Sequence, residues 1–197
     1  DSLSAIERGF ESLKIKVGKD IGLDIERVKA IHAAVEGRAL LRLDANQGWT
    51  REEAWAFCGH LDPNRIEYLE DLCADFEDIA FVASRTGMPV ALDELLAQGK
   101  SWEPIPQLKA LVLKPTLLGS LANSEALVAR ARELKLKVIV SSCFESGIGL
   151  GQLARLAGEW APDQAPGLDT RRWLARDLLD KQGQPDPSLM EPLFHRD

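Results

Sequence analysis

In the run LKIKVG, Leu13, Ile15 and Val17 alternate with Lys14 and Lys16, the period-two pattern of a β-strand. The period then changes. Ile25, Val28, Ile31 and Val35 recur at helical spacing, with Gly37 as the stop. A second strand is predicted from Leu40 to Asp44. Thr50 and Glu53 have capping-box spacing ahead of a helix carrying Ala54, Phe57 and Leu61. Ile66 to Leu69 reads as a third strand, followed by a helix capped by Asp75 that carries Ile79 and Val82 and ends near Gly87. Val90 to Leu92 is a fourth strand, and only weak helical character follows between Leu95 and Gln107. A fifth strand spans Ala110 to Leu113, Ser120 caps a helix carrying Leu127, Ala131 and Leu134, and a sixth strand spans Lys137 to Val140. The next helix carries Leu150, Leu153 and Leu156, PGLDT from Pro166 reads as a last short strand, and a helix is expected near Arg171 to Leu179.

Repeated β-then-α order with apolar strands predicts an α/β fold, a parallel sheet covered by helices. The whole chain, residues 1–197, reads as one domain with an irregular tail from about residue 183. Five charged residues end successive strands: Lys16, Asp44, Glu70, Asp93 and Lys114. Their spacings of 28, 26, 23 and 21 residues are those of a strand-plus-helix unit. Parallel-barrel enzymes place catalytic groups at the C-terminal ends of several strands, so this rhythm points to an enzyme.

Composition narrows the partners. The net charge of −7 argues against a nucleic-acid backbone or an anionic membrane surface. No apolar stretch approaches the ~18–20 residues of a membrane helix, and the start has no signal-peptide layout. Cys58, Cys73 and Cys143 are scattered, as expected of free thiols in a cytoplasmic protein. The first residue is Asp, so a segment upstream is expected.

Lys14 and Lys16 share one strand face. On an open strand that face is solvated; inside a parallel barrel it must meet anions. Asp44, Glu70 and Asp93 repel one another unless a cation joins them, and carboxylates on separate strands suit a hard ion such as Mg²⁺. Glu70 and Asp93 each have an acidic neighbour, Asp71 and Glu94, and parity does not say which member points inward. Asn46 is a candidate supporting partner of the cluster. Arg42 shares the parity of Asp44 and either holds the carboxylates or forms a structural ion pair. A lysine ending an apolar strand, as Lys114 does, needs a partner or a function. Ser141, Ser142 and the following turn are candidates to present backbone N–H groups to an anion. His32, His60 and His195 read as structural or surface residues, and the five tryptophans as packing residues, with Trp49 at the mouth of the Asp44 loop.

In these motifs the chain resembles the enolase superfamily and, within it, the o-succinylbenzoate synthases. The K-x-K strand, LRLDAN, LED, ALDE and VLKPT match in order and spacing, and KPTLLGSL, VIVSSCFESGIGL and PGLDT are the more selective segments. The resemblance runs from about Ser12 to Leu179. It implies a TIM-like (β/α)7β barrel and an N-terminal α+β capping domain that this chain lacks and the complete protein is expected to carry. It further implies Asp44, Glu70 and Asp93 as Mg²⁺ ligands, with Mn²⁺ as a substitute, Lys16 as base, Lys14 as its electrostatic support and Lys114 as the opposing cation. Backbone at Ser141 and Gly167 would meet the carboxylate groups of a small-molecule substrate. The implied activity is Mg²⁺-dependent dehydration of 2-succinyl-6-hydroxy-2,4-cyclohexadiene-1-carboxylate to 2-succinylbenzoate, in menaquinone or phylloquinone synthesis. A racemase of N-acylamino acids, an epimerase of dipeptides, or a barrel fragment without catalysis of its own are the alternatives. One departure is LEDLC in place of the family's LEEPC, which loses the proline of the turn after Glu70.

Overall fold

The computed structural model describes residues 2–180 and 182–189. In chain order the elements are α1 (Ser2–Glu7), β1 (Ser12–Lys16), α2 (Ile21–Val35), β2 (Leu40–Asp44), α3 (Arg51–Cys58), β3 (Ile66–Glu70), α4 (Phe76–Thr86), β4 (Val90–Leu92), α5 (Glu94–Ala97), β5 (Leu108–Leu113), α6 (Leu121–Glu133), β6 (Lys137–Val140) and α7 (Gly147–Trp160). Six strands form one sheet whose spatial order is the chain order. The pairings of β1 through β5 are parallel, as the strand–helix alternation requires. The chain divides into two compact units, residues up to 112 with 129–137, and residues 113–128 with 138 onward.

In the first unit one face of the sheet is apolar, while Lys14, Lys16, Arg42, Asp44 and Glu70 occupy the other face of β1 to β3. Leu41, Leu43, Leu69, Val90, Leu92 and Leu111 are fully buried, as expected of a sheet with helices on its outer face. Helix α2 ends where Glu36 and Gly37 adopt left-handed backbone. Helix α3 begins with a complete capping box between Thr50 and Glu53, and Ala54 and Phe57 are buried beneath it. Trp49 packs on Phe57 with ring centroids 4.3 Å apart, so it is part of the core. Trp55 and Trp173 are exposed, contrary to a packing role for all five tryptophans. Asp75 occupies the cap position of α4 without capping it, and binds Lys100 instead.

At the N-terminal end of this sheet lies a compact ionic group. The guanidinium of Arg42 donates to both carboxylate oxygens of Glu67, at 2.7 Å and 3.1 Å. Ser12 Oγ (2.7 Å) and Lys137 Nζ (3.0 Å) donate to the same carboxylate. Arg42 therefore forms a structural ion pair. A bulge in the β2–β3 register, between Leu41 and Arg42, opposes Arg42 to Tyr68 and leaves Glu67 outside the ladder pairing.

In the second unit the Ser141 N–H donates to the carbonyl of Leu113, and β6 continues into a single parallel bridge between Ser141 and Gly167. That bridge is all that forms of the strand expected at PGLDT. The expected helix near Arg171 to Leu179 is a short 3-10 turn, Arg171–Trp173. Among the described residues the structure thus has six strands rather than the eight of a complete barrel. In α7 the buried stripe is Leu150, Leu153, Ala157 and Trp160. Cys58 and Cys73 are buried free thiols, each pushed up to about 12 by burial and so held in the unreactive thiol form. His195 lies outside the described residues.

Burial raises the cost of a charged Glu67, but its bonds to Arg42, Ser12 and Lys137 outweigh that and hold the carboxyl at about 2, below the usual glutamate value of 4.5. A depressed carboxylate stabilises the fold above its unfolded value and loses that contribution as pH falls toward the folded value. Glu67→Gln is expected to lower stability by about 3 kcal/mol at neutral pH, leaving Arg42 buried without its counter-charge. Between pH 4.5 and about 2 the wild type should lose stability faster than the variant in urea titrations, and parallel curves would reject this account.

Candidate active site at the strand ends

Register decides which side chains meet. Lys16 pairs with Asp44 across β1 and β2, and Asp44 with Glu70 across β2 and β3, so three strand-terminal charges share one row. Glu70 pairs with Ala91, and Asp93, two residues further on, has the parity of Ala91. Lys14 lies two residues before Lys16 on the same face.

The two lysines converge on the carboxylates. Lys14 Nζ lies 2.6 Å from Asp44 Oδ2 and 3.0 Å from Glu70 Oε1. Lys16 Nζ lies 2.7 Å from the same Asp44 oxygen and donates to Asn46 Oδ1 at 2.5 Å. The stems stay open, with Lys14 40% and Lys16 65% exposed, whereas Asp44 is 0%, Glu70 1% and Asp93 1% exposed. Asn46 ties the row to the next loop. Its N–H donates to Asp44 Oδ1 (3.1 Å) and its side-chain amide to Glu94 Oε1 (2.8 Å).

Charge balance within the cluster is uneven. Burial opposes ionisation of Asp44, yet Lys14 and Lys16 together hold its carboxyl below the usual aspartate value. Burial also opposes the charge on Lys14, but Glu70 and Asp44 outweigh it and raise the ammonium above the ordinary lysine value. Glu70 goes the other way. Burial, with the neighbouring charges of Asp44 and Asp93, pushes it well above the usual range despite Lys14. Among the described residues no group of three acidic, histidine or cysteine side chains is drawn together as metal ligands. The donor set still fits a hard divalent cation in kind: buried carboxylate oxygens from three neighbouring strand ends.

The loops around the row depend on residues that the sequence pattern did not single out. Asp24, buried in α2, accepts from the N–H groups of Gly18 (2.8 Å) and Lys19 (3.2 Å) and pairs with Arg27, which also reaches the Lys16 carbonyl. Gly18 and Gly48 meet backbone to backbone, and a Cβ on either would run into the carbonyl oxygen of Ala45. Of the adjacent acid pairs, Glu70 faces the lysines, while Asp71 turns away to the backbone after β4. The signal for Asp24 was a lone acid on the otherwise apolar face of α2.

In the second unit Lys114 directly follows β5 and is half-buried. The expectation that Ser141 and Ser142 present N–H groups to an anion is not met. The Ser141 amide donates to Leu113, the Ser142 amide to Gly167, and the Gly167 amide to Val140, all within the strand ladder. The start of α7 is filled from within the chain, because Asp177 Oδ1 accepts from the Gly147 N–H at 2.7 Å.

Comparison with known proteins adds the family. Residues 2–184 match the family described as enolase C-terminal domain-like. The chain belongs to that family. Among its relatives, o-succinylbenzoate synthase of Pectobacterium atrosepticum is 40% identical over 153 residues, 76% of this chain and 47% of the relative. The synthase of Salmonella paratyphi B is 36% identical over 187 residues, 93% of this chain and 55% of the relative. The chain thus spans about half the length of the curated relatives it matches. Among solved structures, a dipeptide epimerase from Enterococcus faecalis superposes with a TM-score of 0.76 at 26% identity, covering 93% of this chain and 56% of that one. Among the described residues no helix is long and apolar enough to cross a membrane.

Gly48→Ala is expected to destabilise the fold by about 1–3 kcal/mol, because the added methyl has only rigid backbone to push against. Its thermal midpoint should fall well below that of Gly158→Ala, where nothing lies near the added carbon; equal midpoints would contradict the close packing.

Proposed function

We propose that the protein containing this chain is a Mg²⁺-dependent o-succinylbenzoate synthase. The observation that carries the reading is the convergence of Lys14 and Lys16 on buried strand-end carboxylates. The names of the sequence relatives give the reaction class. The substrate would be 2-succinyl-6-hydroxy-2,4-cyclohexadiene-1-carboxylate, and the product 2-succinylbenzoate on the route to menaquinone or phylloquinone. In this reading the fold is completed as a (β/α)7β barrel, the enzyme is cytoplasmic, and an N-terminal capping domain lies outside this chain.

Asp44, Glu70 and Asp93 would hold Mg²⁺ or Mn²⁺. Such an ion supplies Lewis-acid stabilisation of charge on a substrate carboxylate. Lys16 would take the proton from the ring carbon bearing the carboxylate, with Asn46 and Asp44 fixing its Nζ. The same nitrogen would return that proton to the departing hydroxyl, which leaves as water while the ring becomes aromatic. Lys14 would hold Asp44 and Glu70 in place, and Lys114 would stabilise the anionic state. Contact of backbone near Ser141 and Gly167 with the substrate would need donors other than the amides already used by the ladder.

A second reading, N-acylamino acid racemisation or dipeptide epimerisation, draws support from the likeness to dipeptide epimerases. The residues required are the same, because removing and returning a proton at a carbon α to a carboxyl group is common to both.

In the full-length protein, Lys16→Ala is expected to lower turnover of the diene by about 10²–10⁴-fold, the usual contribution of a general base, with its thermal midpoint little changed. Chelation should abolish turnover and added Mg²⁺ restore it. A near-normal rate in the variant would overturn the assignment. Incubation of a single N-acylamino acid enantiomer in D₂O separates the two readings. Deuterium uptake with racemisation, in a protein that leaves the diene intact, would make the racemase reading the correct one.

A further inference from the structure

We infer that Asp71 is a positioning residue that keeps the Asp93 carboxylate in the active-site cluster by capping helix α5 in its place; this rests on the reading of Asp93 as a metal ligand. An aspartate at a helix N-cap ordinarily folds back onto the N–H groups two or three residues ahead. Asp93 stands at the N-cap of α5, with φ −134° and ψ −86°, and makes no side-chain capping bond. The cap comes from the neighbouring strand. Asp71 Oδ2 accepts from the Leu95 N–H at 2.9 Å, and Oδ1 accepts from the Asp93 N–H itself at 3.2 Å. Leu95 is the second residue of α5, so Asp71 takes the bond that Asp93 would otherwise make. Relieved of that role, the Asp93 side chain stays buried at the end of β4, 1% exposed, and makes no capping bond to its own helix.

Asp71 is built to stay there. It is completely buried, and its backbone is left-handed, with φ +39°. Its N–H donates to the Ala91 carbonyl (3.1 Å), and its carbonyl accepts from the Gln47 N–H (2.7 Å). The Gln47 side chain reaches Asp71 Oδ2 at 3.4 Å and is itself held by Gln98. One residue thereby links the loops that follow β2, β3 and β4, the strands whose ends carry Asp44, Glu70 and Asp93. A helical residue in place of Asp71 could not bridge these three loops. A neutral, shorter side chain would return the Leu95 N–H to Asp93 and draw its carboxylate out of the cluster.

The test measures Mn²⁺ binding by the loss of the free-ion electron paramagnetic signal, using full-length wild type, Asp71→Ala, Asp71→Asn and Val82→Ala. Val82, buried in α4, serves as a stability control away from the site. Asp71→Ala should weaken Mn²⁺ binding by about 10- to 100-fold, the effect typical of lost outer hydrogen-bond partners of metal ligands. Asp71→Asn keeps one acceptor oxygen and should fall between it and wild type, and saturating Mn²⁺ should recover most of the lost turnover. If Asp71→Ala does not fold, the Asn variant alone decides: a dissociation constant unchanged within twofold overturns the proposal. Equal Mn²⁺ affinity in Asp71→Ala and in Val82→Ala also overturns it, while leaving the metal site itself standing. Wild type that binds no Mn²⁺ would overturn the metal-site reading and this inference with it.

Discussion

Buried carboxylates must be answered by positive charge, and in this chain that requirement organises the end of the sheet. Parallel register brings Asp44 and Glu70 side by side at the ends of β2 and β3, where both are almost wholly removed from water. Two such anions on neighbouring strands are unfavourable by themselves. Lys14 and Lys16 enter from β1 on the only face that can reach them. The two carboxylates respond differently: the lysines hold Asp44 in its charged form, while burial pushes Glu70 toward its neutral one. Buried carboxylate oxygens on adjoining strand ends are donors of the kind a hard cation takes.

Much of this was legible in the alternation of residues. A lysine at every second position of an apolar strand, and an acid at the end of each following strand, place side chains on one face by period alone. Spacing then assigns those strands to consecutive units of one sheet. The adjacent acids were different. Glu70 and Asp71 lie on opposite sides of a chain that turns into left-handed backbone at Asp71, a property that no alternation reveals. Asp71 acts on backbone groups in a loop distant in sequence, and Asp24 reaches back from inside its helix to the turn before it, so neither follows from local propensity. Amides were misread in the same way. Ser141 and Ser142 look available in a polar, glycine-bearing turn, but the β6 ladder extends past Val140 and uses them. In place of the expected helix after Arg171 the chain makes one short 3-10 turn, and Asp177 is committed to the Gly147 N–H at the start of α7.

The comparisons draw a useful contrast. The sequence relatives are named as synthases, whereas the solved structures whose fold this chain shares include ones named as epimerases. Chemistry within such a fold is set by the groups at the strand ends and by the loops beyond them. In the proposed reading the strand-end groups would serve any reaction that begins by removing a proton beside a carboxylate, and substrate identity would come from loop residues.

The Ser12–Arg42–Glu67–Lys137 group sits at the opposite end of the strands from the lysine–carboxylate row. Anchorage and reactivity are thereby segregated along the axis of the sheet. The clasp that gathers the strand beginnings shares no side chain with the loops after β1, β2 and β3, which hold their own shape through Gly18, Gly48 and Asp71. The scaffold is in that sense divided, with one pole of the strands given to cohesion and the other to a cluster of buried charge.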